Sequence, residues 1–540
     1  MPRMTGGDAI VDSLLRHGVD TLFGLPGVQM YGLFDAFARN ANQLRIINAR
    51  HEQTTAYMAL GYAQSTGKPS AFSVVPGPGV MNTMGAMLTS WGVNAPVMCI
   101  TGQVPSAMIG RGRGQLHEMP DQLATLKSML KFAERIEHPT DAPQVMARAF
   151  QAMMSGRPGP VAVEMPWDMF PAMADVTLMD PLPLHANPVP DPEKIAALAK
   201  LVDQAKFPMI WVGGGAYSAG AEVLALAEKI GAPVVSFRTG KGVVDSRHPL
   251  SLGTVAGFEL WDKCDLLIGI GTRLDVPLSR WAPQPAGMKI ARIDIDAAEH
   301  RRLTVDVPIV ADAADGTRAL TAAVAKQAGT ERRAAVAAAK ASALAQISKA
   351  QPQYSLVQAI REAVGEDGLI VDEVTQVAYI AWYGLDVYKP RTMITSGFNG
   401  TLGYGFPTAL GVKVAHPDKP VVSICGDGGF LFAGSDLATA VQFGVNLITV
   451  VVNNASYGNV LRDQKRLFDG RHSGSVLTNP DFVAYGRAFG VGSWRVEDAA
   501  GLRQALGEAI ASNAPALIEV VSDITKDYPP FEFHAPKRKS

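Results

Sequence analysis

Lys419-Pro-Val-Val-Ser-Ile-Cys425, Gly426-Asp427-Gly428, Ser435-Asp-Leu-Ala-Thr-Ala-Val-Gln442 and Leu447-Ile-Thr-Val-Val-Val-Asn-Asn454 read in turn as strand, turn, helix and strand. Both apolar runs are short and rich in β-branched residues, the pattern of strands buried on both faces of a parallel sheet. Parallel strands joined by a helix finish on the same edge, and open α/β sheets bind their ligands there. Asp427 and Asn454 are therefore expected together at a carboxyl edge. Glycines on either side of Asp427 let the backbone approach a bulky anion, and an Asp at a strand tip can hold a hard cation through oxygen. Mg²⁺ takes about six oxygens, so Asp427, Asn454 and one backbone carbonyl would leave roughly half of them to phosphate and water. The same spacing also suits an ordinary βαβ crossover with a Gly-rich turn. This stretch alone thus decides the fold class, α/β with doubly wound parallel sheets, and leaves the ligand open.

Working outward, 540 residues allow three or four domains of about 150 each. Lys plus Arg number 49 against 50 Asp plus Glu, so no net basic field draws nucleic acid or anionic lipid. Cys99, Cys264 and Cys425 stand far apart in apolar surroundings, which points to core thiols in a reducing compartment rather than disulfides or zinc. The opening residues lack an apolar signal core and no run of about 18 apolar residues occurs, so a cytoplasmic protein that does not engage membranes is expected. Asp180 to Pro192 holds five prolines in 13 residues and reads as an extended linker. Thr330 to Ala345, rich in Ala, Lys and Arg, reads as an exposed helix. These joints divide the chain into segments 1–180, 190–328 and 350–540.

The outer segments echo each other. Ala59-Leu-Gly61, Lys68-Pro69, Ser73 and Gly77-Pro78-Gly79 recur loosely as Ala409-Leu-Gly411, Lys419-Pro420, Ser423 and Gly426-Asp427-Gly428. Each copy leads a small-residue helix through Lys-Pro into a buried strand ending on Gly-X-Gly. Two α/β layers of like design are the simplest account.

In the first segment, Val19 to Gly27 reads as a strand entering a Gly-Pro turn. Leu44 to Glu52 reads as a second strand that delivers Glu52 at its end, before a helix from Thr54 to Ser65. A carboxylate there also suits the positive end of that helix. Arg50-His51-Glu52 with Ala56, Ala59, Gly61, Tyr62 and Ala63, then Gly77-Pro78-Gly79, Asn82 and Thr101-Gly-Gln-Val104, resembles the cofactor-activating part of one enzyme group. That group is the thiamine-diphosphate enzymes of the acetohydroxyacid synthase, benzaldehyde lyase and oxalyl-CoA decarboxylase kind. The Gly-Asp-Gly followed by Asn-Asn resembles its diphosphate motif, and the likeness covers nearly the whole chain.

The resemblance implies pyrimidine-binding, central and diphosphate-binding domains, and the cofactors thiamine diphosphate and Mg²⁺. It makes Asp427, Asn454 and the Ser456 carbonyl the metal ligands. Thr375, Gln376, Gly426, Gly428, Gly429, Tyr457 and Gly458 would meet the diphosphate, Gly400 would bind the cofactor too, and Leu402 would support its bent shape unless it is a plain core leucine. Pro26, Glu52, Pro78 and Asn82 fall on the pyrimidine side, with Glu52 the hydrogen-bonding acid that activates the ring. Because the two ends of the cofactor fall to different domains, and relatives place that junction between subunits, a homodimer or homotetramer is implied.

Substrate-side positions depart from the group. Leu116-His117-Glu118 stands where relatives often carry Phe-Gln-Glu, and Gln29 where benzaldehyde lyase has a histidine. His117 is a candidate proton shuttle, or else a loop histidine in water. The stretch Leu461 to Ser475 carries Arg462, Lys465, Arg466, Arg471 and His472, and reads as a loop that could attract an anionic donor or simply be solvated. In the middle segment Gly213-Gly-Gly215 with Arg273 could seat FAD or an ADP moiety, yet relatives lacking both keep the pattern. The expected activity is a carboligase or decarboxylase acting on small 2-oxo acids or related carbonyl compounds. An aldehyde lyase, an acyl-CoA lyase, a flavin-linked oxidase of the pyruvate oxidase kind and a non-catalytic nucleotide-binding protein are the alternatives.

Overall fold

The computed structural model describes residues 1–281, 283–327, 329–526 and 533. The ends expected at 328 for the second segment and at 540 for the third lie outside these residues. Three six-stranded parallel sheets are flanked by helices. The first runs in the order Arg45–Asn48, Thr21–Gly24, Ser70–Val74, Val97–Gln103, Val161–Pro166, Phe132–Arg135. The second runs Ser251–Gly253, Val234–Ser236, Pro208–Val212, Leu266–Ile270, Lys289–Asp294, Val307–Val310. The third runs Met393–Ile394, Leu369–Asp372, Val421–Gly426, Ile448–Asn453, Ala516–Val521, Gly492–Val496. Central strands such as Ser70–Val74 and Val97–Gln103 are buried along their whole length, which is why their apolar runs are continuous rather than alternating.

In chain order, both outer sheets run second, first, third, fourth, sixth, fifth. The echoed segments occupy equivalent places, for each Lys-Pro feeds the third strand of its sheet. Their helices, Glu52–Thr66 and Gly405–Ala415, pack directly on each other. A Cβ on Gly61 would overlap the carbonyl oxygen of Thr408, and one on Gly411 would overlap that of Met58. Gly61 stands to Thr408 as Gly411 stands to Met58, so the repeated glycine is what lets two backbones cross about a local two-fold axis. Gly411→Ala forces backbone apart and is expected to destabilise by about 3 kcal/mol, lowering the melting temperature by roughly 6–12 °C. Gly507→Ala, also in a helix but with open space around it, is the control and should leave stability equal or slightly higher.

Several local expectations shift. The helix begins at Glu52 rather than Thr54, and its strand already ends at Asn48. His51 makes the difference, because its Nδ1 accepts the Gln53 N–H at 3.1 Å and caps the helix two residues early. Glu52 therefore sits on a first helical turn. Asp427 likewise opens a short helix, Asp427–Phe430, directly after its strand. The first half of the stretch read as a basic loop is helix Gly458–Leu467. The Ala-rich joint is helix Thr330–Ile347, which buries Val336, Ala339, Ala343 and Ile347 and is not wholly exposed. Its apolar face completes a core shared with the second and third sheets. All three cysteines are buried and free. No helix among the described residues is long and apolar enough to cross a membrane.

Candidate active site

At the carboxyl edge of the third sheet two helices begin around one cavity of about 240 Å³. Thr375 caps helix Gln376–Gly384, its Oγ1 accepting the Ala378 N–H at 3.0 Å, and Gly458 opens the other helix. Helix starts present unpaired N–H groups and a positive dipole end, which favour phosphate oxygens. Thr375, Gln376, Gly400, Leu402, the turn Gly426–Gly429, Asn454, Ser456, Tyr457 and Gly458 all line this cavity. The structure thus gathers every C-terminal candidate into one place. Among the described residues no Lys or Arg lines it.

Asp427 is buried with no cationic partner in the wall. Its Oδ1 accepts the Gly428 N–H at 2.9 Å, and its Oδ2 accepts from Asn479 Nδ2 at 2.7 Å and from the Ser456 N–H at 3.2 Å. Burial raises its carboxyl above the usual range, while these hydrogen bonds pull the other way. Asn454 Oδ1 accepts the Ser456 hydroxyl at 2.9 Å. Among the described residues no three His, Cys, Asp or Glu side chains gather as a metal cluster. A cation here would rest on one carboxylate beside amide and carbonyl oxygens, a hard donor set that suits Mg²⁺.

Glu373 and Asn479 were not foreseen. Glu373 is 2% exposed, and its carboxylate accepts the Gly403 N–H at 2.8 Å and the Gly405 N–H at 3.3 Å. A Cβ on Gly429 would overlap that carboxylate, so Glu373 ties the loop bearing Leu402 to the turn bearing Asp427. Burial pushes its pKa up to about 7. Asn479 joins Asp427 to Asn453, whose Nδ2 in turn donates to Glu519 at 2.7 Å. Neither lies in a recognisable pattern. Glu373 stands two residues before Thr375, but its partners are some 30 residues away.

The N-terminal candidates gather at the matching edge of the first sheet. Glu52 Oε2 accepts from Asn82 Nδ2 at 3.1 Å. Pro78 opens helix Pro78–Val93, and a Cβ on Gly79 would stand 3.7 Å from Glu52 Cγ. Val75 packs between Gly27 and Gly79, which brings the Pro26 turn beside the Pro78 turn. Gln29 and His117 meet side chain to side chain, 2.9 Å apart. None of these residues lines the C-terminal cavity. The two groups of candidates lie at equivalent edges of the first and third sheets.

Two other expectations change in weight. Asp463 pairs with Arg462 at 3.2 Å and Arg466 at 3.7 Å, and Asp469 with Arg471 at 3.3 Å, so three of the five basic side chains stand beside a carboxylate. The Gly213-Gly-Gly215 turn faces a second cavity of about 240 Å³, where Gly214, Gly215 and Arg273 are joined by Arg157, Asp294 and Arg391.

Three family models match the chain. They are described as the thiamine pyrophosphate enzyme N-terminal TPP binding domain over residues 4–125, the central domain over 195–320, and the C-terminal TPP binding domain over 373–520. An acetolactate synthase of Arthrospira platensis is 31% identical, across 99% of this chain and 96% of its own length. A probable 2-ketoarginine decarboxylase of Pseudomonas aeruginosa is 32% identical, across 96% and 94%. The acetolactate synthase isozyme 1 large subunit of Escherichia coli is 31% identical, across 98% and 96%.

Proposed function

The chain belongs to the thiamine pyrophosphate enzymes, and on that premise we propose that it is a Mg²⁺-dependent carboligase that decarboxylates a 2-oxo acid and couples the remainder to a second carbonyl compound. The observation that carries the cofactor and its cation is the C-terminal cavity, which offers a carboxylate, amide oxygens and two helix starts but no Lys or Arg among the described residues. Such a wall suits a diphosphate only with its own cation, and Asp427 and Asn454 would hold that cation together with the Ser456 carbonyl. Thr375 and Gly458 would turn their helix starts to the phosphate oxygens, and Leu402 would stand under the rings. When bound, thiamine diphosphate would supply a nucleophilic ring carbon and an electron sink for decarboxylation. Glu52, steadied by Asn82, would hold and return the proton that activates the pyrimidine. His117 would move a proton at the acceptor.

Glu52 does not line the cavity that Asp427 lines, so a second copy would supply the missing half. Leu402, Phe398, Leu431 and Phe432 in the third segment, and Met81 and Leu116 in the first, are large apolar side chains 38–58% exposed. Covering such side chains would favour association. The glycine turn of the second cavity leaves room for a further ligand with an adenosine diphosphate moiety, free or within FAD, although Arg157, Arg273 and Arg292 in its wall already pair with Asp294, Asp296 and Glu299. A yellow protein would favour FAD, and calorimetric binding of ADP to a colourless one the simpler nucleotide.

A screen of pyruvate, benzoylformate, 2-ketoarginine, oxalyl-CoA and simple aldehydes, read by mass spectrometry, tests the reaction class. Release of CO₂ from a 2-oxo acid is expected, with a hydroxyketone when an aldehyde or second oxo acid is supplied. Rapid cleavage of neutral hydroxyketones with no CO₂ from any donor would make the protein an aldehyde lyase.

A further inference from the structure

His117 is held in a backbone conformation that side-chain-bearing residues seldom adopt, with φ at 63°. Such strain persists only where surrounding contacts over-determine it. Here two contacts do so. The His117 carbonyl lies so close to Gly77, itself at φ 61°, that a Cβ on that glycine would overlap it. The ring Nδ1 lies 2.9 Å from Oε1 of Gln29, a buried residue on the turn Val28–Met30. Gly77 caps the helix whose next residues, Pro78 and Gly79, approach Glu52, so His117 and Glu52 flank one helical turn.

The hydrogen bonds around Gln29 fix where the imidazole proton resides. One end of the Gln29 amide is 2.8 Å from the Leu116 carbonyl oxygen. A carbonyl oxygen can only accept, so the atom facing it must be the NH₂. The other end, facing His117, is then the amide oxygen, which likewise only accepts. Nδ1 must therefore donate. In a neutral imidazole the proton on Nδ1 leaves the lone pair on Nε2, and Nε2 has no hydrogen-bond partner among the described residues.

We infer that Gln29 is a positioning residue that locks His117 in the Nδ1–H tautomer, leaving Nε2 as the atom that takes and returns a proton. In that transfer a substrate O–H bond breaks as the Nε2–H bond forms. The imidazolium keeps its Nδ1–H on Gln29 Oε1, and the same proton later leaves from Nε2. The transfer rests on the proposed carboligase reading, whereas the tautomer does not.

Selective ¹⁵N-histidine labelling of the full chain separates the two. Proton–nitrogen spectra of the wild type, with the His117 signals assigned by their loss in His117→Asn, should show a protonated Nδ1 and a bare Nε2. Gln29→Leu removes the acceptor and should shift His117 toward the Nε2–H form. Gln29→Glu keeps an acceptor and should retain Nδ1–H. The turnover number of Gln29→Leu should fall by roughly 10²-fold with cofactor affinity unchanged. A wild-type Nε2–H tautomer, or an unchanged spectrum in Gln29→Leu, overturns the inference. Full turnover in His117→Asn with the tautomer as stated would instead overturn the proton transfer.

Discussion

Asp427→Ala is expected to weaken Mg²⁺-dependent binding of thiamine diphosphate by at least roughly 10²-fold. The diphosphate is a concentrated anion, and the cavity wall offers no Lys or Arg among the described residues to replace a lost cation. Helix starts contribute only partial charge, about half an elementary charge each. Asp427 is also the hub that accepts from Gly428, Ser456 and Asn479, so its truncation leaves buried donors without a partner. Asp427→Asn, nearly isosteric, separates loss of charge from loss of shape and should still bind weakly. Asn479→Ala removes only the outer support and should cost less than Asp427→Ala. Calorimetric titration at fixed Mg²⁺ reads all three, and wild-type affinity in both Asp427 variants would defeat the metal assignment.

Glu52→Gln carries the second large effect. The amide keeps the size of the carboxyl and can still meet Asn82, now 3.1 Å away, so fold and diphosphate binding should change little. An amide cannot take up and release a proton. Exchange of the cofactor's reactive ring proton with solvent, followed by NMR at saturating cofactor, should therefore slow by roughly 10²–10⁴-fold. Exchange at the wild-type rate would remove Glu52 from the mechanism.

Local pattern carried the elements that depend on neighbouring residues alone. The continuous apolar runs ending on Gly426 and Asn453 read directly as adjacent parallel strands, and they pair from Val422 with Ile448 to Gly426 with Val452. The repeat of Ala-Leu-Gly through Lys-Pro to Gly-X-Gly was visible as two layers of like design. That Gly61 and Gly411 form the crossing of those layers was not, because a close approach of two distant backbones leaves no trace in either segment. The same limit hid Asp436, which accepts the Arg50 N–H and the Thr54 hydroxyl, both at 2.6 Å, and so couples the Glu52 helix to the third sheet. It hid Glu373 and Asn479, whose partners come from other loops. Gln29 and His117 were each singled out, yet their pairing across 87 intervening residues and the left-handed turn at His117 follow only from the fold. The helix expected from Thr54 starts at Glu52 because His51, an uncommon capping residue, sets its beginning.

One site is expected to be completed by Glu52 of one copy and Asp427 of another. Co-expression of differently tagged Glu52→Gln and Asp427→Ala chains tests it most directly, with CO₂ release from a 2-oxo acid as the readout. Each variant alone should be nearly inactive. In a mixed dimer one site collects both lesions and the other neither, so random pairing should restore about a quarter of wild-type activity. Activity no higher than that of the separate variants, in protein shown by its tags to be mixed, would contradict a site shared between copies.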